Sequence, residues 1–435
     1  MPDLQDETTR VLQALVRFNT VNPPGNERAA QEWLGRYLSD AGLEVELLGA
    51  EPARPNLVAR LRGEGAGATL CYLSHMDTVL ADPEDWRHDP WSGDVADGFL
   101  WGRGALDMKS QTAAEAVAAA ALAREGWRPP AGDLLVVCVV DEEVGGAKGA
   151  EWICEHHPDK VRCDYLLNEG AGDVLPFGDR RLLGVCCAEK GTFRFRLVAD
   201  GAAGHASNPR FGDNALLKLI GPLERLAQAA PDHDMTDTAA EFLRALGEDP
   251  DDPRGSLERL GRVDQRLATL FEPMFGVTFS PTMIHASDKI NVIPSRAEVR
   301  VDCRVPPGHG EELMLRRLEE VLGGGGPRLE WIERKVGNAS PSETPLMEAI
   351  RAWAADADPE AEVVPTMLPA FTDSRTFRAA FPDCVAYGFF PHRHMSLFDT
   401  SSLIHGKDER IDVRDLGFAA GFFADLPRRL LRSGA

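Results

Sequence analysis

The sequence predicts an α/β protein: a mainly parallel sheet covered by helices on both faces, split by a smaller inserted domain. Three observations predict this. Apolar strand-like runs alternate with helical spacing through residues 1–188. Near Glu189 the pattern switches to half-exposed alternation, and after Pro345 the first style returns. The 435 residues exceed one ordinary core, given about 100–200 residues per domain. With 43% hydrophobic and 27% charged residues the chain is globular throughout. The expected division is 1–188 and 341–435 for the main domain, with 189–340 inserted.

The elements follow in order. Thr8–Phe18 and Asn26–Ala41 have amphipathic helical spacing. Asn56–Leu61 and Ala68–Leu73 read as strands. An alanine-rich helix spans Gln111–Glu125, with Thr112 and Glu115 spaced as a capping box. The strand Leu134–Val140, a helix near Ala147–His156 and the strand Tyr165–Leu167 complete the first part. Strands that are apolar throughout and alternate with helices indicate parallel pairing.

In the insertion, Thr192–Ala199 alternates, and Ala215–Gln228 is helical. The strands Thr282–Ile284 and Ala297–Arg304, the helix Glu311–Leu322 and the strand Arg328–Val336 follow. This strand-helix-strand-strand-helix-strand order is the ferredoxin-like one, an α+β sheet with helices on one face. The run GGGGP at 323–327 is a turn, since no Lys-Ser/Thr and helix follow it. Within the polar stretch Pro231–Phe275, Thr238–Leu246 and Leu257–Phe271 have helical spacing. They are expected to be extra helices shaping a substrate entrance or a dimer edge. After the insertion come the helix Leu346–Ala355, the strand Val385–Phe389 and the helix Val413–Leu426.

The net charge of −22 argues against nucleic acid and anionic membranes as partners. No run approaches the ~18 apolar residues of a membrane span. The opening MPDLQDETTR shows no signal peptide, so a cytoplasmic location is expected. Eight scattered cysteines without a CxxC spacing fit buried free thiols in a reducing compartment.

Open parallel sheets form their sites at the carboxyl ends of strands. LSHMDTV places His75 and Asp77 there, VVDEEVGG places Glu142 and Glu143, and LLNEGAG places Glu169. Asp107 sits in GRGALDMKS before a helix, and SSLIHGKDER supplies His405. Singly, each has an ordinary reading: a hydrogen-bonded histidine, a helix-entry charge, a solvated acid pair, a surface loop. Together, two histidines and several acids on one sheet edge suit one or two divalent ions with mixed N/O ligands. A dication would also offset the repulsion within the acid pair.

The ordered motifs SHMDTV, GRGALDMK, DEEVGG, NEG and a late HG resemble the co-catalytic metallopeptidases and deacylases. That family includes carboxypeptidase S, aminoacylase, acetylornithine deacetylase and succinyl-diaminopimelate desuccinylase. The resemblance covers nearly the whole chain, including AGHAS and INVIP in the insertion. It implies a zinc-peptidase-like catalytic domain and an inserted lid and dimerisation domain. It also implies two divalent ions, zinc first, with cobalt or manganese as other candidates.

Residue by residue, it implies that His75 and Glu169 bind one ion, that Glu143 and His405 bind the other, and that Asp107 bridges them. Asp77 would orient His75. Glu142 would be the general base, taking a proton from the attacking water and returning it to the leaving nitrogen. Asp141 has no matching role and is expected to be structural. His205 would reach into a partner subunit and stabilise an oxyanion; its plain alternative is a turn residue. Asn291 would contact substrate or simply form the turn before Pro294. Arg375, in AFTDSRTFR, would fork onto a free substrate carboxylate. Arg378, three residues on, is a weaker candidate for that role and is otherwise expected to be a surface or ion-pair residue. His156, His157, His392 and His394 are expected to be structural or loop residues.

The implied protein is a homodimeric, metal-dependent hydrolase acting on an amide bond of a small peptide or N-acyl amino acid. The rival reading is a non-catalytic binding or dimerisation relative. NEG and the tail fit the carboxypeptidase S and aminoacylase branch.

Overall fold

A computed structural model describes residues 3–229 and 233–432. The first two residues of the stretch expected at Pro231–Phe275 therefore lie outside the described residues. The chain divides into two compact units. One comprises Met1–Cys187, Ser340–Thr366 and Thr372–Ala435, and the other Ala188–Ala339 and Met367–Phe371.

The first unit is built on a nine-stranded sheet. Its order is Glu44–Leu48, Asn56–Arg62, Asp133–Val139, Leu70–His75, Tyr165–Asn168, Val385–Gly388, Arg180–Glu189 and Ala361–Leu368, with Val174–Phe177 beside Arg180–Glu189. From Asp133–Val139 to Val385–Gly388 the neighbours run parallel. Every residue of Leu70–His75 is buried, as a strand covered on both faces requires. On one side Glu44–Leu48 pairs antiparallel with Asn56–Arg62, and that strand with Asp133–Val139; on the other Val385–Gly388 pairs antiparallel with Arg180–Glu189. Three strand regions gave no clear signal: Glu44–Leu48, the hairpin at 174–189 and Ala361–Leu368. Glu44–Leu48 is an exposed edge with two acids. Ala361–Leu368 contains Pro365 and lies at the opposite edge, where a missing N–H is tolerated.

Helix Lys109–Arg124 is buried on nearly every side and packs against Leu4–Val16 and Val413–Leu430. Its alanines let three helices and the sheet approach closely. It begins two residues before the expected start, and the expected capping box does not form. Met108 is the N-cap and provides no side-chain cap. Thr112 instead donates to the Met108 carbonyl (3.3 Å), and Glu115 accepts from Gln111 within the helix (2.8 Å). The first turn is held from outside, since the Lys109 ammonium donates to the carbonyls of Leu15 (3.1 Å) and Phe18 (2.9 Å).

A small sheet joins Val95–Ala96, Phe99–Trp101 and Arg410–Asp412. Asp97 and Gly98 both have positive φ, 54° and 83°, the two-residue turn that suits a twisted hairpin. Arg410 pairs with Trp101, so the loops at 102–108 and 405–409 run side by side.

The second unit has a four-stranded antiparallel sheet in the order Thr278–His285, Arg296–Val305, Gly191–Asp200 and Arg328–Lys335. One face packs against Ala215–Gln228 and Glu311–Leu322 through Phe193, Phe195, Val299, Val301 and Met314. The alternate positions carry cross-strand ion pairs, among them Arg194 with Asp302 (2.8 Å) and with Glu333 (3.0 Å). The polar stretch folds into Asp237–Leu246, Pro253–Val263 and Gln265–Phe271. The helix expected over Leu257–Phe271 is broken at Asp264, which caps the last of these. Lys190, fully buried, donates to the carbonyls of Pro273 (2.8 Å) and Gly276 (2.6 Å), fastening the end of that stretch to the sheet.

The close helix packing yields a test. Ala119 is fully buried, and overfilling such a site costs about 1–3 kcal/mol. Ala119→Leu is expected to lower stability by that amount in chemical denaturation. The same change at the partly exposed Ala121 should cost less; equal effects would refute the packing account.

Candidate metal centre

Three of the parallel strands are neighbours in the order Asp133–Val139, Leu70–His75, Tyr165–Asn168. Their carboxyl ends therefore lie together. His75 ends the middle strand, Glu142 and Glu143 form the short turn Glu142–Val144 after the first, and Glu169 follows the third. Asp107 comes from the loop before Lys109–Arg124, and His405 from the loop before Arg410–Asp412.

These side chains converge as two groups that share Asp107. One is His75, Asp107 and Glu169; the other is Asp107, Glu143 and His405, with donor atoms in each within 4.8 Å of one another. Asp107 turns Oδ1 toward His75 Nε2 (3.2 Å) and Oδ2 toward His405 Nε2 (3.0 Å). His75 Nε2 lies 3.5 Å from Glu169, and His405 Nε2 lies 3.2 Å from Glu143. Each group thus offers one imidazole nitrogen and two carboxylates, a donor set that fits a divalent ion such as zinc, manganese or cobalt.

Electrostatics reflect the crowding. Burial, and next the charge of Asp107, push Glu169 up to about 7. Glu142 belongs to neither group; burial, then the charge of Glu169, raise its carboxyl well above the usual range. Hydrogen bonds to Asp107 and Glu143 raise His405 to about 10. For His75, burial opposes the charge, but hydrogen bonds to Asp107, Asp77 and Glu169 outweigh it and raise the imidazole. For Asp107, burial is outweighed by hydrogen bonds from both histidines, which hold it below the carboxylate range.

The loops are pinned by side chains around the site. The nearest acceptor to His75 Nδ1 is the backbone carbonyl of Asp77 (3.0 Å), with Asp77 Oδ1 at 3.6 Å. The Asp77 carboxylate accepts from the N–H groups of Glu142 and Glu143 (both 3.2 Å) and from Asn22 (2.9 Å). Asp141 is buried with φ 74°, a left-handed conformation that a non-glycine residue adopts only when held. Arg54 (2.8 Å), Asn22 (3.3 Å) and the N–H of Lys148 (3.1 Å) hold its carboxylate. Arg54 also pairs with the buried Glu27.

In the second unit the ribbon Gly204–His205 with Val292–Ile293 brings His205 close to the Asn291 segment, and Asn291 accepts from the Ala206 N–H (3.0 Å). Both residues are exposed. The Ser207 N–H donates to His205 Nδ1 (3.2 Å). The Ser207 hydroxyl lies closer still, 2.7 Å from the same nitrogen.

Arg375 lies in the first turn of helix Ser374–Ala380 and is buried. Its turn is tied to the Glu169 strand through Asn168, which donates to Thr372 (3.1 Å) and Ser374 (3.2 Å). Arg378 is not at the surface as expected. It is buried and donates to the Ala386 carbonyl (2.6 Å) and to Ser340 (3.2 Å). His392 is a buried residue beside Asp173 (3.0 Å). Asn22, Arg54, Arg103 and Glu409 were missed in the sequence. Arg103 and Glu409 stand inside the quoted motifs, and only their closeness to Asp107 and His405 could have drawn notice.

The sequence model described as Peptidase family M20/M25/M40 matches residues 71–429. A succinyl-diaminopimelate desuccinylase of Cereibacter sphaeroides is 27% identical over 411 residues, 92% of each chain. Aminoacylase-1 of Sus scrofa is 28% identical over 412 residues, 91% of this chain and 88% of that protein. The M20 family metallo-carboxypeptidase Sso-CP2 of Sulfolobus solfataricus shares the fold, with a TM-score of 0.75 at 17% identity over 98% of this chain and 99% of that one.

The Arg54 bridge carries a prediction. Removing one partner of a buried ion pair costs about 3–5 kcal/mol. Arg54→Met is expected to destabilise by that much in chemical denaturation, since Glu27 and Asp141 both lose their cation. Wild-type stability in this variant would mean that other groups hold the two acids.

Proposed function

The chain belongs to peptidase family M20/M25/M40, and on that footing we propose that it hydrolyses the amide bond of a small peptide or N-acyl amino acid. The observation that carries this reading is the Asp107 carboxylate, one oxygen facing each histidine-carboxylate group, with Glu142 beside them in neither group. Nothing in the site favours a non-catalytic relative.

His75, Asp107 and Glu169 would hold one divalent ion, and Asp107, Glu143 and His405 the other. Bound there, two such ions supply Lewis acidity and lower the pKa of a water toward neutrality. Glu142 is the base: its carboxylate takes a proton from the attacking water and later delivers it to the leaving nitrogen. Asp77 orients His75 through its backbone carbonyl and fixes the turn that bears Glu142 and Glu143.

His205 donates to the developing oxyanion in the site of a partner subunit. A homodimer through the inserted unit suits the open edge strand Thr278–His285, where Met283 and Ile284 are exposed. It also suits the helix Ala215–Gln228, with Leu217 and Ile220 exposed. Asn291 would contact substrate, and Arg375 would pair with its free carboxylate. Zinc is the favoured ion. Among the described residues no helix is long and apolar enough to cross a membrane. All eight cysteines are free and buried, which supports a cytoplasmic site of action.

The first test is a screen of N-acyl amino acids and dipeptides with zinc, cobalt or manganese added; loss of turnover on chelation, restored by the ion, is expected. Glu142→Ala should abolish turnover while bound metal stays near wild type, and His405→Ala should lower bound metal. Surviving activity in Glu142→Ala would remove it as the base. Mixing His205→Ala with Glu142→Ala protein should restore part of the activity through hybrid dimers, and no recovery would count against the cross-subunit role.

A further inference from the structure

We infer that the buried pair Arg103 and Glu409 is a positioning unit that fixes Asp107 and His405 relative to each other, so that both ion sites depend on it. This rests on the metal-centre reading above.

The pair lies close under the site. The Glu409 side chain is fully buried and that of Arg103 is 3% exposed, with Nη1 2.7 Å from Oε2. Glu409 does more than pair. Oε1 accepts from the N–H groups of Leu106 (2.6 Å) and Asp107 (3.0 Å), and Oε2 accepts from Gly104 (3.1 Å). One carboxylate thus gathers three backbone donors of the turn that presents Asp107. An amide or apolar side chain of the same shape could not accept from all of them.

Arg103 works on the other ligand. Its Nη2 donates to the Gly406 carbonyl (2.8 Å) and the Leu80 carbonyl (3.2 Å). Gly406 follows His405, whose φ of 58° is left-handed. That conformation persists in a non-glycine residue only when its surroundings fix it. Trp86 covers the guanidinium at 5.1 Å. The Gly102 N–H donates to the Glu409 carbonyl (3.0 Å), which locks the two loops together at the base of the Trp101–Arg410 pairing.

A buried ion pair is weak evidence for stability, because desolvation offsets its attraction. Its donors and acceptors here are aimed at the two loops that bear metal ligands. Groups behind metal ligands typically affect metal affinity by roughly 10- to 100-fold.

The test titrates chelator-stripped full-length protein with Zn²⁺ by calorimetry and counts bound ions after dialysis. Wild type is expected to take two ions per chain. Glu409→Gln should weaken both sites by roughly 10- to 100-fold, because the shared Asp107 is displaced. Arg103→Lys keeps a cation for Glu409 but loses the fork to Gly406. It should weaken one site and spare the other.

Melting temperatures of the metal-free variants run alongside. A purely structural pair would lower these while leaving zinc affinity unchanged, and that result overturns the inference. A Glu409→Gln effect without an Arg103→Lys effect removes Arg103 from the unit. If Glu409→Gln does not fold, Arg103→Lys decides. Wild type that binds no zinc refutes the metal-centre reading itself, an outcome distinct from variants that bind like wild type.

Discussion

Four carboxylates, Asp107, Glu142, Glu143 and Glu169, crowd the ends of neighbouring strands, and their mutual repulsion is the constraint that shapes everything around them. At an effective dielectric near 20, two like charges about 4 Å apart cost roughly 4 kcal/mol. The surroundings divide the compensation by role. Acids that shape loops have arginines or N–H donors of their own: Asp141 has Arg54, Glu409 has Arg103, and Asp77 has Asn22 and two peptide N–H groups. The ion pairs of Asp107, Glu143 and Glu169 run instead to His75 and His405. Imidazoles are groups that a dication can share with carboxylates, whereas a guanidinium cannot bind one.

The adjacency of Glu142 and Glu143 follows from the same constraint. A 3₁₀ turn has three residues per turn, so successive side chains point about 120° apart. Two neighbours on it can stand beside one centre without facing the same point. Glu143 reaches His405 and also accepts the Val79 N–H (3.1 Å). Glu142 is left to do something else. Asp141, the third acid of the run, is turned away by its left-handed backbone and fastened to Arg54. Three consecutive acids thus have three surroundings, and only one of the three is held by an arginine.

Much of this was legible in the sequence, and what was not has physical reasons. Helices Ala215–Gln228 and Glu311–Leu322 match their expected spans because their apolar faces repeat cleanly. The central strands differ from expectation by one or two residues, since continuous apolar runs mark a buried strand but not its end. Glu44–Leu48 and Ala361–Leu368 escaped notice because edge strands need neither full burial nor every N–H. The false capping box arose because Thr112 and Glu115 have the right spacing in the wrong turn. The acids and histidines that converge at the strand ends were visible as motifs. Arg54, Asn22 and Glu409 were not, because a buried polar residue is recognisable only through its partners, and these come from distant parts of the chain.

Asp77 shows how one residue links the two halves of the chemistry. An acid two residues beyond a candidate ligand histidine invites the reading that its carboxylate receives the ring's other N–H. Here the backbone carbonyl stands closer, at 3.0 Å against 3.6 Å for the carboxylate oxygen. The carboxylate also accepts the N–H groups of Glu142 and Glu143. A ring rotation of His75 would therefore be felt at the Asp77 peptide, and a shift of the Asp77 side chain would be felt at Glu142 and Glu143. His75 of one group, Glu143 of the other and Glu142 beside them are all tied to a single buried aspartate. Its worth lies in where its hydrogen bonds end rather than in its charge.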